Sequence, residues 1–73
     1  MMNRRRLPPG AKDILQALRP VLTTVDGGLS RDHATLVLEN EGFTADEIPY
    51  YLDLLLDRGY LYEVEGALRL TDP

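Results

Sequence analysis

The chain is predicted to fold as a small α+β domain, three helices followed by a C-terminal β-hairpin, on three observations. Apolar residues recur at three- and four-residue spacing in three separate segments, as they do on helices with one covered face. Glycine-bearing stretches punctuate those segments. After Gly59 the pattern changes to "YLYEVEGALRLT", an alternation rich in β-formers.

Residues 1–10 read as a flexible basic arm, punctuated by Pro8, Pro9 and Gly10, ahead of a domain spanning 11–73. The first helix begins near Ala11, where Ala11, Ile14, Leu15 and Leu18 make one stripe. Pro20 is expected to end or kink it, because proline lacks a helical N–H donor and crowds the preceding turn. Val21-Leu22 then adds an irregular turn, and "TTVDGG" (23–28) is a turn through Asp26, Gly27 and Gly28.

Ser30 is placed to cap a second helix, with Asp32 near its positive end. Ala34, Val37 and Leu38 form the inner stripe, Leu36 falls off it, and Gly42 is a C-terminal stop. The third helix has the best-marked start in the chain. Thr44 and Glu47 form a capping box, and Phe43 and Ile48 a hydrophobic staple. Pro49 is expected to distort the first turn or to shift the regular helix towards itself, and Gly59 ends it. The hairpin places strands near 60–64 and 67–71, broken by Glu65-Gly66. Helices and hairpin in this order describe a winged helix-turn-helix.

The segment from about Gly27 to Thr71 resembles winged-helix domains, most closely those at the C-terminus of archaeal minichromosome maintenance helicases. The resemblance runs through "ENEGF", "DEIPYYLDLLLDRGYLYE" and "GALRLT", at Gly42, Ile48, Leu52, Leu55, Gly59, Leu61, Tyr62, Glu63 and Leu68 to Thr71. These are mostly core and turn positions, so they speak to fold more than to activity. The chain has no ATPase module, so helicase activity does not carry over. What the resemblance implies is a small regulatory or interaction domain associated with DNA transactions. One departure matters: those relatives usually carry lysines on the third helix, where this chain has Asp53, Leu54 and Asp57.

Composition sets further bounds. Seventy-three residues make one domain near the lower limit for a self-supporting core. The absence of cysteine rules out disulfides, thiolate zinc sites and thiol catalysis. No apolar run approaches a membrane span, and "MMNRRRLPPG" lacks the apolar segment of a signal peptide, so a cytoplasmic location is expected. Seven arginines against a single lysine, with abundant aspartate, suit a GC-rich or salt-loving source. The net charge of −4 hides an asymmetry, since Arg4, Arg5 and Arg6 are three of the eight cations. From Leu7 onward five cations face twelve acids, a body charge of −7 that disfavours non-specific contact with polyanions.

The third helix concentrates that problem. Advancing about 100° per residue from Ile48 puts Leu55, Leu52, Tyr51 and Leu56 on the covered face. Asp46, Tyr50, Asp53, Leu54 and Asp57 fall opposite, on the face that enters the major groove in winged-helix DNA binders. That face offers carboxylates to phosphates and no Arg, Asn or Gln to pair with a purine edge. The acids also suit a solvated surface. Tyr50 and Leu54, one turn apart and ringed by acids, instead resemble the apolar centre and polar rim of a protein interface, with Leu36 as an outlying member.

DNA contacts, if made, therefore fall to the arm (Arg4, Arg5, Arg6) and to Arg58 and Arg69 at the wing. The plainer expectation for Arg69 and Arg58 is pairing with Glu63 or Glu65 across the hairpin. Tyr60 and Tyr62 are more simply packing residues than base-stacking ones. His33, a lone histidine near a helix start, is read as a surface residue rather than a metal ligand. No nucleophile–base arrangement, glycine-rich phosphate loop or catalytic carboxylate pair stands out, so neither an enzyme nor a cofactor is expected. Two functions remain. One is a DNA-associated regulator in transcription or replication, binding through arm and wing with low sequence specificity and strong salt dependence. The other is a protein-interaction or homodimerisation module using the third-helix face.

Overall fold

The computed structural model describes residues 7–71. Helix α1 spans Pro9–Thr24, strand β1 Leu29–Ser30, α2 Arg31–Asn40, α3 Glu47–Asp57, β2 Leu61–Val64 and β3 Ala67–Leu70. The strands form one antiparallel sheet in the order β1-β3-β2. Leu29 lies opposite Leu68 across β1 and β3, and Tyr62 opposite Arg69 across β2 and β3. This is the α+β winged-helix-like architecture that the sequence predicts.

Each helix boundary has a local cause. Pro9 opens α1 at its first position, where a missing N–H donor costs nothing, and Lys12 N–H donates to the Pro8 carbonyl at 3.0 Å. The helix therefore begins before Ala11, and Leu7 already packs against the core. Ser30 Oγ accepts from His33 N–H at 3.1 Å, as its capping role requires. The ends of α2 and α3 close alike: Phe43 N–H donates to Leu38 O (3.0 Å) and Gly42 N–H to Glu39 O (3.0 Å), while Tyr60 N–H donates to Leu55 O (2.9 Å) and Gly59 N–H to Leu56 O (3.2 Å). These paired bonds satisfy carbonyls that a helix end would orphan, and they require a left-handed residue. Gly42 and Gly59 supply it, with φ of 106° and 81°.

Two expectations are corrected. Pro20 does not end α1, which continues to Thr24, so Val21-Leu22 is helix and not the irregular turn expected there. Pro20 lies on the exposed side, where the carbonyl it leaves without a donor can turn to water. The Thr23 and Thr24 hydroxyls donate to the Pro20 carbonyl at 3.1 and 2.7 Å. The second correction is β1, which local pattern does not announce. Two residues are too short to alternate, and the strand exists because β3 pairs with it. Gly28 makes the approach possible, since a Cβ there would lie 2.7 Å from the Leu68 carbonyl oxygen.

Ile14, Leu18, Leu38, Ile48, Leu52, Leu55, Leu61 and Leu68 are fully buried, drawn from all three helices and both hairpin strands. Among the described residues no polar or charged residue is buried with them. This apolar centre fixes which face of α3 is turned outward.

Candidate functional site

The start of the third helix is fixed by side-chain and backbone hydrogen bonds. Glu47 Oε2 accepts from Thr44 N–H at 2.8 Å and Thr44 Oγ1 accepts from Glu47 N–H at 3.3 Å, closing both halves of the capping box. Ile48 N–H reaches the Thr44 carbonyl at 3.2 Å, so the first turn forms despite Pro49. Pro49 comes directly after that bond, so the N–H it lacks is the one that would have reached the Ala45 carbonyl, and the exposed first turn of α3 forms without it.

On the outer face Tyr50 is 64% exposed, and Asp46, Asp53 and Asp57 surround it in exposed positions. The Tyr50 ring stands edge-on to Tyr51, with centroids 5.0 Å apart and planes at 71°. Tyr51 in turn presses on the start of α1, where a Cβ at Gly10 would fall 2.6 Å from its ring. Tyr50 is thus anchored from beneath, through a neighbour wedged between two helices. Tyr50, Asp53, Leu54 and Asp57 line an open cleft of about 310 Å³.

Leu54 differs from expectation. It is half-buried and packs against the core, because α1, α2 and β2 all contact α3 and cover a wider arc than the apolar stripe alone implies. It lines the cleft rather than standing free. Leu36 is 61% exposed on α2, as expected, and does not line that cleft.

Arg31, at the start of α2, reaches across to this face and donates from Nη2 to Asp53 Oδ1 at 2.8 Å. A cation that could have answered a phosphate is thereby engaged by an acid of the same surface. The outer face of α3 stays acidic.

The five arginines assigned to DNA contact are not gathered into one described surface. Arg4, Arg5 and Arg6 lie outside the described residues. Arg58 caps the C-terminal end of α3, half-buried and already engaged in a contact. Arg69 lies half-buried in a separate cleft of about 340 Å³ with Asp26, Gly27, Gly28 and Tyr62. Its Nε is buried and has no hydrogen-bond partner among the described residues. No ion pair joins Arg69 to Glu63 or Glu65, because the register sets Tyr62 opposite it. Tyr60 packs against the core, while Tyr62 remains 45% exposed and is not the packing residue expected.

A second charged surface was not singled out from the sequence. Lys12, Gln16 and Arg19 are all exposed on α1 and line a cleft of about 320 Å³ with Leu7, Leu15 and Tyr60. The signal was present: positions 12, 16 and 19 follow helical spacing along one flank of the apolar stripe. Counting charge over the whole body hid it, since two cations vanish into a total of −7.

His33 is exposed, its Nδ1 3.3 Å from Ser30 Oγ. Among the described residues no group of three or more His, Cys, Asp or Glu is placed to hold a metal ion. Among them, too, no helix is long and apolar enough to cross a membrane. No protein family, curated protein or solved structure matches the chain.

Proposed function

We propose that this chain is a non-enzymatic winged-helix interaction module whose third helix meets protein rather than the bases of DNA. The carrying observation is the outer face of α3. An anchored, exposed Tyr50 stands among three carboxylates, and the nearby Arg31 is bound to Asp53. Such a face repels a phosphate backbone and offers no bidentate donor to a purine edge. An aromatic centre within a polar rim is instead how protein-binding patches are built.

A second reading, DNA association through the amino-terminal edge, is favoured by a different observation. Lys12 and Arg19 are exposed on α1, soon after Arg4–Arg6 in the chain, so the cations cluster at one end of the sequence. The resemblance to domains of DNA-replication helicases supports the same reading. The two are compatible, because they use different surfaces.

Anisotropy titration of labelled random-sequence duplex DNA at low and high salt tests both. Tyr50→Ala and Leu54→Ala are expected to leave any duplex binding unchanged. A loss of about tenfold or more in either variant, with the fold intact, would return α3 to the groove and overturn the first reading. Replacing Arg4–Arg6 with alanine is expected to weaken binding and flatten its salt dependence. Unchanged binding would remove the second reading.

A further inference from the structure

We infer that the partner of the α3 face is a second copy of this chain, docked head-to-tail on the Lys12–Gln16–Arg19 edge of α1. The inference rests on the reading of α3 as a protein-binding face and names its occupant.

Charge and spacing carry it. Lys12, Gln16 and Arg19 stand at positions i, i+4 and i+7, all exposed on one line of α1. Asp46, Tyr50 and Asp53 stand at i, i+4 and i+7, all exposed on one line of α3. Asp46 keeps helical dihedrals (φ −77°, ψ −41°), so the spacing runs unbroken from it. Seven residues of helix advance about 10.5 Å. The outer charges of the two lines are therefore separated equally and opposite in sign. With the lines side by side, Asp46 meets Lys12, Asp53 meets Arg19, and Tyr50 lies over Gln16 towards the apolar side chains of the α1 cleft, Leu7, Leu15 and Tyr60.

Asp53 is prepared for this. Arg31 occupies Oδ1, and a carboxylate has a second oxygen to offer. The apolar parts match in kind as well, since an exposed aromatic faces a cleft edged by cations. The two surfaces lie on different helices, so the contact is heterologous, and every copy keeps one of each face open. Association is consequently weak, graded with concentration and sensitive to salt.

Sedimentation velocity with charge-reversed pairs tests this. The average mass of wild type is expected to rise with concentration at low salt and to fall back at high salt. K12E/R19E presents two acidic faces and D46K/D53K two basic ones, so each alone is expected to associate about tenfold more weakly or worse. Mixed in equal amounts, the two variants present complementary faces again and are expected to recover the association. All four positions are exposed, Asp46 makes no side-chain capping bond, and circular dichroism checks that both variants stay helical. Wild type that is monomeric at every concentration, or a mixture that stays as monomeric as its folded components, would overturn the inference. Either result leaves the reading of α3 in place, because that reading is tested separately, by whether α3 variants alter duplex binding.

Discussion

The outer face of α3 and the outer edge of α1 are both exposed helix surfaces over one shared core, yet they are opposites in charge. The α3 face carries Asp46, Asp53 and Asp57 around Tyr50, and the α1 edge carries Lys12 and Arg19 beside an apolar cleft. In a winged-helix DNA binder the third helix is the expected basic element. Among the described residues the fully exposed cations, Lys12 and Arg19, sit on the first helix instead. Position in a fold does not assign a task; the groups presented there do.

The two faces of α3 have separate duties, and substitutions on each face test that division hardest. Leu55 is fully buried on the inner face, so Leu55→Ala is expected to destabilise by about 2–5 kcal/mol, enough to unfold much of so small a chain. Tyr50→Ala on the outer face is expected to shift stability by no more than about 0.5 kcal/mol. Urea denaturation of both variants decides it. A costly Tyr50→Ala would mean that the ring is structural and not offered to a partner.

A smaller effect is expected at the helix end. Gly59 holds φ at 81° while its N–H donates to Leu56 O, so Gly59→Ala is expected to cost about 1–2 kcal/mol and loosen the last turn of α3. Thermal melting reads the loss. An unchanged melting temperature would show that the outer face does not depend on that closure.

The smallest effect sharpens the contrast in charge. Arg31 and Asp53 form an exposed pair, 38% and 70% accessible, so Arg31→Ala is expected to cost up to about 1 kcal/mol at low salt and almost nothing at high salt. It also leaves the α3 face one charge more acidic. Under the head-to-tail arrangement this variant keeps its self-association, since Asp53 becomes freer to meet Arg19. Loss of association in Arg31→Ala would show instead that Arg31 itself takes part in the contact.

Much of the fold was legible because its signals are local. Ser30, Thr44 with Glu47, Gly42 and Gly59 each satisfy orphaned backbone groups within a few residues, and each does so in the structure. Non-local features were the ones hidden. β1 has no pattern of its own and is created by β3, and Leu54 is half-covered by neighbours that a helical projection cannot show. The helix runs on past Pro20 because that position faces water, where the carbonyl left without a donor stays solvated. The acidic character of α3 could be read directly. The spacing of the α1 edge could be read as well, but the cleft beside it, formed by Leu7, Leu15 and Tyr60, comes together only on folding.

The most direct test of the central claim is a set of amide nitrogen–proton correlation spectra, recorded on protein diluted until sedimentation shows a monomer, while random-sequence duplex DNA is titrated in at low salt. Amides of α3 from Glu47 to Asp57 are expected to stay unmoved, with any shifts confined to the amino-terminal arm and the exposed side of α1. Saturable shifts centred on Tyr50, Asp53 and Asp57 would contradict it and put the third helix in the groove.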